Sequence, residues 1–146
     1  MSKKVFTKLF TGIRQAVVVG QGSQPAIHQW LMQEDIEVIG ASIMVASSLP
    51  SENDGYASCE IELSQVGVSD SDGSLLKAAA GEGWNTAPPG ICRQNAHIAA
   101  MFPAGEAVPI KEEGYLFVNA WVIAKSAGIS EFRYTVIVYY TKGRSR

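Results

Sequence analysis

The residues able to carry acid–base or metal chemistry are few and poorly grouped. His28 and His97 are the two histidines of the 146-residue chain. Neither sits in a nucleophile-elbow, zinc-protease or H-x-H pattern, so neither is marked as a general base or ligand. Asp70-Ser71-Asp72-Gly73 opens like a calcium loop, since hard cations take clustered carboxylate oxygens. The twelfth position from Asp70 is Gly81, where a bidentate glutamate belongs, so the stretch reads as a solvated turn. Glu52 and Asp54 ahead of Gly55 read the same way. Glu60 and Glu62 share one parity of a strand and could form a carboxylate pair; an exposed acidic strip is the simpler expectation. Gly20-Gln21-Gly22 and Gly81-Glu82-Gly83 lack the strand-to-helix setting that a phosphate cradle needs.

The remaining candidates suit binding rather than catalysis. Lys3, Lys4, Lys8 and Arg14 are the only charges before Glu34 and lie beside Phe6 and Phe10. Such a cluster attracts phosphate backbones, but a pI near 5.7 and net charge of −2 oppose the basic footprint of nucleic-acid binders. The stretch from Gln15 to Leu76 holds nine acids and no lysine or arginine. A basic N-terminal stretch is therefore suited to the acidic surface of a neighbouring subunit, where complementarity guides pairing and register. Trp84, in an expected loop, is the aromatic residue best placed for an interface or ligand contact. No cofactor motif and no metal-ligand spacing occurs, and no enzyme class is indicated.

These residues need a scaffold. With 47% hydrophobic and 18% charged residues, the chain has the composition of one globular domain. Cys59 and Cys92 make no disulfide framework. The N-terminal region is too interrupted for a secretory leader and too polar to span a bilayer, so synthesis in the cytosol without a membrane anchor is expected. Residues 1–26 are expected to form an extended arm, with one strand around Ile13–Val19 as the alternative, and residues 27–146 a β-sandwich.

Strand patterns occur at Ile27–Met32, Ile36–Ala46, Tyr56–Val66, His97–Phe102 and Ala107–Ile110. Gly40 interrupts the second, which suggests a bulge or a close backbone approach. Residues 67–93 are expected as one long irregular loop, with a helical turn or two at Leu75–Ala80. Tyr115–Ala124 and Phe132–Thr141 are the clearest strands, rich in β-branched and aromatic residues. The reversal at Ser126-Ala127-Gly128 suggests that they pair with each other. Trp121-Val122-Ile123 and Val136-Ile137-Val138 are apolar on both faces, so a loop or another subunit should cover the side away from the core. The fold expected is mainly β, an antiparallel sandwich or jelly roll.

The C-terminal third carries a resemblance. Pro103-Ala104-Gly105-Glu106, then Val108-Pro109-Ile110-Lys111-Glu112-Glu113-Gly114-Tyr115-Leu116-Phe117-Val118, and the strand ending Val136-Ile137-Val138-Tyr139-Tyr140 resemble the last strands of small bacteriophage virion jelly rolls, including capsid decoration proteins. The likeness covers about 40 residues and is one of spacing and residue type. It implies an oligomeric, often trimeric, sandwich whose arm attaches it to a shell of major capsid protein, and it transfers no catalytic residue or cofactor. A carbohydrate- or receptor-binding module such as a fibre tip, working through Trp84 and residues 67–93, is the alternative.

Overall fold

The computed structural model describes residues 4–16, 26–49, 55–67, 73–84, 95–103, 105–124 and 130–142. Among them are nine strands: β1 (Phe6–Ala16), β2 (Ala26–Leu31), β3 (Ile36–Leu49), β4 (Gly55–Ser64), β5 (Ser74–Trp84), β6 (Asn95–Met101), β7 (Val108–Ile110), β8 (Tyr115–Ala124) and β9 (Ser130–Lys142). Every pairing is antiparallel.

The pairings describe a rolled hairpin. β4 pairs with β5, β3 with β6 and β7, β2 with β8, and β1 with β9. Rolling this ribbon brings β9 beside β3 and β8 beside β4, giving two sheets ordered β1-β9-β3-β6 and β2-β8-β4-β5. This is the jelly-roll form of the β-sandwich. β7 extends the first sheet past the end of β6, against Ile36–Val38.

Alternation decides which side chains enter the core. In β4, Cys59, Ile61 and Leu63 are buried; in β9, Phe132, Val136 and Val138 are, with Tyr134 nearly so. Leu116, Val118 and Ala120 of β8 and Val38, Ala41, Ile43 and Val45 of β3 complete the centre. Each such aliphatic side chain contributes about 1.5–3 kcal/mol on leaving water.

Several expectations need correction. Tyr115–Ala124 and Phe132–Thr141 do not pair with each other. They lie in opposite sheets, each flanked by two neighbours, because the inward aliphatics of both strands must meet across the core. Residues 74–84 are strand rather than loop or helix. Ala78 and Ala80 alternate with Lys77 and Ala79, and pairing with β4 overrides the helical preference of alanine. Residues 6–16 of the expected arm are the edge strand β1, joined to β9 from Phe6↔Tyr140 to Ala16↔Ser130. The inward residues Phe6 and Phe10 give this strand a place on the core.

Gly40 fulfils both readings offered for it. The β3–β9 register slips between Val38 and Gly40, and a side chain on Gly40 would collide with the Met101 sulfur and the Ala100 carbonyl. The skipped Ile39 turns its carbonyl to the Phe102 amide at 2.8 Å. The tight turn at 111–114 docks on the β2–β3 connection: Glu113 N donates to Met32 O, Met32 N to Gly114 O, and Glu112 N to Asp35 Oδ1.

Candidate functional site

Three groups of residues stand apart from ordinary core packing. The first is the seam where the edges of the two sheets meet. On β1, the inward parity is Phe6, Lys8, Phe10, Gly12 and Arg14, facing Tyr140, Val138, Val136, Tyr134 and Phe132 of β9. Across the gap, β2 presents His28 and Trp30. The rings interlock: Phe6 stacks on Tyr140 at 5.6 Å, Tyr140 meets Trp30 edge-on at 5.0 Å, and Phe10 touches both Trp30 and His28. His28 Nε2 and the Tyr134 hydroxyl are joined by a 2.7 Å hydrogen bond that ties one sheet to the other. Burial lowers the pKa of His28 and raises that of Tyr134, which favours the neutral form of each.

The basic residues singled out in the sequence decorate this seam. The Lys8 ammonium lies 5.7 Å from the Phe10 ring and 5.5 Å from the Trp30 ring, a cation–π arrangement. Lys4 lies over Phe6 at 5.2 Å, and Lys142 over the same ring at 4.8 Å while bonding Glu34 at 2.8 Å. Arg14 is half-buried on the same parity, and its charge opposes the burial that pushes the Cys59 thiol up to about 12. Lys3 lies outside the described residues. Trp84 does not sit in a loop; it is the last residue of β5, opposite Gly55. The structure thus gathers Lys8 and Arg14 on β1, with Lys4 just ahead of it, and leaves Trp84 on the far sheet.

The second group is on the outer face of the β2-β8-β4-β5 sheet. Glu62 was expected on an exposed acidic strip, but it is 0% exposed. Residues 65–67 cross above it: Asn119 Nδ2 donates to Glu62 Oε1 and to Val66 O, both at 3.2 Å, and Gly67 lies against the Phe117 ring. Glu62 Oε2 is buried without a hydrogen-bond partner. The turn therefore covers the second face of β8 at Phe117 and Asn119. Glu60 faces Lys77 at 4.0 Å, a half-exposed pair that contributes little.

The third group was foreseen only at Ile137. On the first sheet, the register sets out four rows of positions on the parity opposite to that of the core. They are Thr7–Tyr139–Gly40–Met101, Leu9–Ile137–Ser42–Ala99, Thr11–Thr135–Met44–His97 and Ile13–Arg133–Ala46–Asn95. Arg133 is the one formal charge among these sixteen positions, and it pairs with Glu131 at 3.3 Å. Leu9 is 59% exposed, Met101 62%, and Met44 and Ile13 about half. A depression of about 430 Å3 is lined by Met44, Ala46, His97, Arg133 and Thr135 together with Val45, Ala96 and Tyr134. A signal for this face was present in β1, where Thr7, Leu9, Thr11 and Ile13 make the outward parity as uncharged as a buried one. Exposed apolar side chains gathered on one face with almost no charge mark contact sites on proteins.

Among the described residues no group of three or more His, Cys, Asp or Glu side chains could hold a metal ion, and no helix is long and apolar enough to cross a membrane.

No protein-family model matches the chain, and no curated protein matches it. Among solved structures it is similar, at 13% identity over 97% of its length, to the VP2 subviral particle of infectious bursal disease virus, with a TM-score of 0.35. Structures of the Gt and Gx strains of the same virus align at 13% identity over 98% and 97% of the chain, with TM-scores of 0.28 and 0.29. The chain spans 37–38% of the length of those chains. At these scores the likeness carries no residue or site from one protein to the other.

Proposed function

We propose that this protein is a structural subunit of a virus particle, a decoration or stabilising protein that self-associates and binds a lattice of major capsid protein. The outer face of the β1-β9-β3-β6 sheet carries this reading. Its rows hold one formal charge and set exposed Leu9, Ile13, Met44 and Met101 among uncharged Thr, Ser, Ala, His and Asn positions, a grouping of exposed apolar side chains that marks a surface covered by protein. The virion setting rests on the resemblance of the C-terminal strands to phage jelly rolls. The histidines fit a structural role: His28 is engaged with Tyr134 inside the seam, and His97 belongs to the outer face.

The test is immunogold labelling of particles released by the cells that naturally make the chain. Gold on intact purified particles supports the reading. Protein that stays wholly in the soluble lysate while particles carry no label overturns it.

A further inference from the structure

The outer face has an uneven relief. The half built by β1 and β9 is tall at Leu9, Ile13, Ile137, Tyr139 and Arg133 and lower at Thr7, Thr11 and Thr135. The half built by β3 and β6 is low at Gly40, Ser42, Ala46 and Ala99, and it borders the depression of about 430 Å3. Met44 and Met101 stand up from that lower half, and both have adaptable unbranched side chains.

We infer that this face is covered by a second copy of the same chain, packed sheet on sheet about a two-fold axis that runs between the sheets and along the strands. This rests on the proposed structural role and names its first partner. A two-fold of that direction keeps each row against itself and exchanges its ends. β9 of one copy then lies over β3 of the other, and β1 over β6. Ile137 comes over Ser42 and Leu9 over Ala99. Tyr139 comes over Gly40, where the Met101 sulfur lies and offers a favourable contact to an aromatic ring. Tall residues meet low ones in both directions at once, which is the self-complementarity that an isologous contact requires. A three-fold ring would need two different patches instead, and one face that fits itself does not supply them.

Size agrees with this pairing. Four strands at ~4.8 Å and seven residues at ~3.4 Å give roughly 450 Å2 of projected face per copy. Side-chain relief and Val5 beyond the first row bring a pair to about 1,000 Å2, the region that separates specific interfaces from incidental contacts. Edge-to-edge pairing through β1 is disfavoured by Lys8 and Arg14 on its inward parity, a recognised way of keeping an edge strand from adding another.

The experiment uses the full chain with Cys92→Ser, because Cys59 is buried, and adds Leu9→Cys and Ala99→Cys together. Within one copy these positions are three strand spacings apart, about 14 Å, too far for a disulfide. Across the two-fold they face each other at the ~10 Å spacing of stacked sheets, beyond a disulfide but within reach of a short bis-maleimide, so that reagent should give a covalent dimer from the double variant and none from either single one. Leu9→Glu, at an exposed position that folding tolerates, should weaken dimerisation at least ~100-fold by native mass spectrometry, with unchanged circular dichroism. Crosslinking that fails in the double variant, or a Leu9→Glu protein as dimeric as the parent, overturns the pairing. A parent chain that is monomeric yet found on labelled particles sinks the pairing and spares the structural role. A monomer absent from particles sinks both.

Discussion

Replacing Gly12 with alanine should be among the most damaging single-carbon changes in this protein. Gly12 lies opposite Tyr134 in the β1–β9 register, and a Cβ built on it would fall inside van der Waals contact with the tyrosine ring and hydroxyl. The ring cannot yield freely, because it is 4% exposed and its hydroxyl is bonded to His28 at 2.7 Å. Overpacking of this kind costs about 1–3 kcal/mol. Losing the partly buried hydrogen bond adds about 1 kcal/mol. The sum, about 2–4 kcal/mol, should lower Tm by roughly 5–15 °C for a domain of this size. Thermal and urea unfolding of four proteins would measure it: the parent, Gly12→Ala, Tyr134→Leu and the double variant. With the ring gone, Gly12→Ala should become neutral or stabilising by up to ~1 kcal/mol, since alanine outlasts glycine in a strand. The two changes should thus couple by at least ~1.5 kcal/mol. Additive losses would refute the collision as the cause.

Two further outcomes are expected. Burial lowers the pKa of His28 below its ordinary 6.5, so the unfolded chain takes up a proton that the folded chain resists. Above pH 6.5 this contributes nothing, and stability should fall as pH drops through and below that value. Urea titrations between pH 8 and 5 should show a shallower fall in His28→Gln, and equal slopes would dismiss His28 as the source. Glu62→Met removes a buried oxygen that lacks a partner while Asn119 keeps the Val66 carbonyl, so stability should rise by about 1 kcal/mol or more; a lower Tm would show that Oε2 has a use in the fold.

The strands were legible where burial leaves a period-2 trace, as in Cys59, Ile61 and Leu63 of β4, and where β-branched residues crowd, as in β8 and β9. Their partners were not. Nearness in sequence suggested that β8 and β9 form a hairpin, whereas rolling of the ribbon sends them to opposite sheets. β5 was hidden because Leu75–Ala80 has a helical composition, and only pairing with β4 fixes it as a strand. Lys4, Lys8 and Arg14 drew notice as charges, yet the sequence could not show that Phe6 and Phe10 between them draw the whole strand onto the core. The apolar outer sheet face was the least legible feature, because its rows assemble from four strands far apart in the chain.

The β1–β9 pairing also sets the order in which the molecule can be made. Phe6 must find Tyr140, and Ala16 must find Ser130, so β1 leaves the ribosome well before its partner β9 and waits for it. Contacts this distant in sequence slow folding, since the loop must close before any of them forms. During that wait β1 is a nascent segment rich in Thr, Leu, Ile and Phe, of the kind that aggregates. Lys8 and Arg14 then act as gatekeepers within it, interrupting the apolar run until β9 arrives to cover it. Replacing both would be felt first as lost soluble yield during synthesis, before any change in the finished fold.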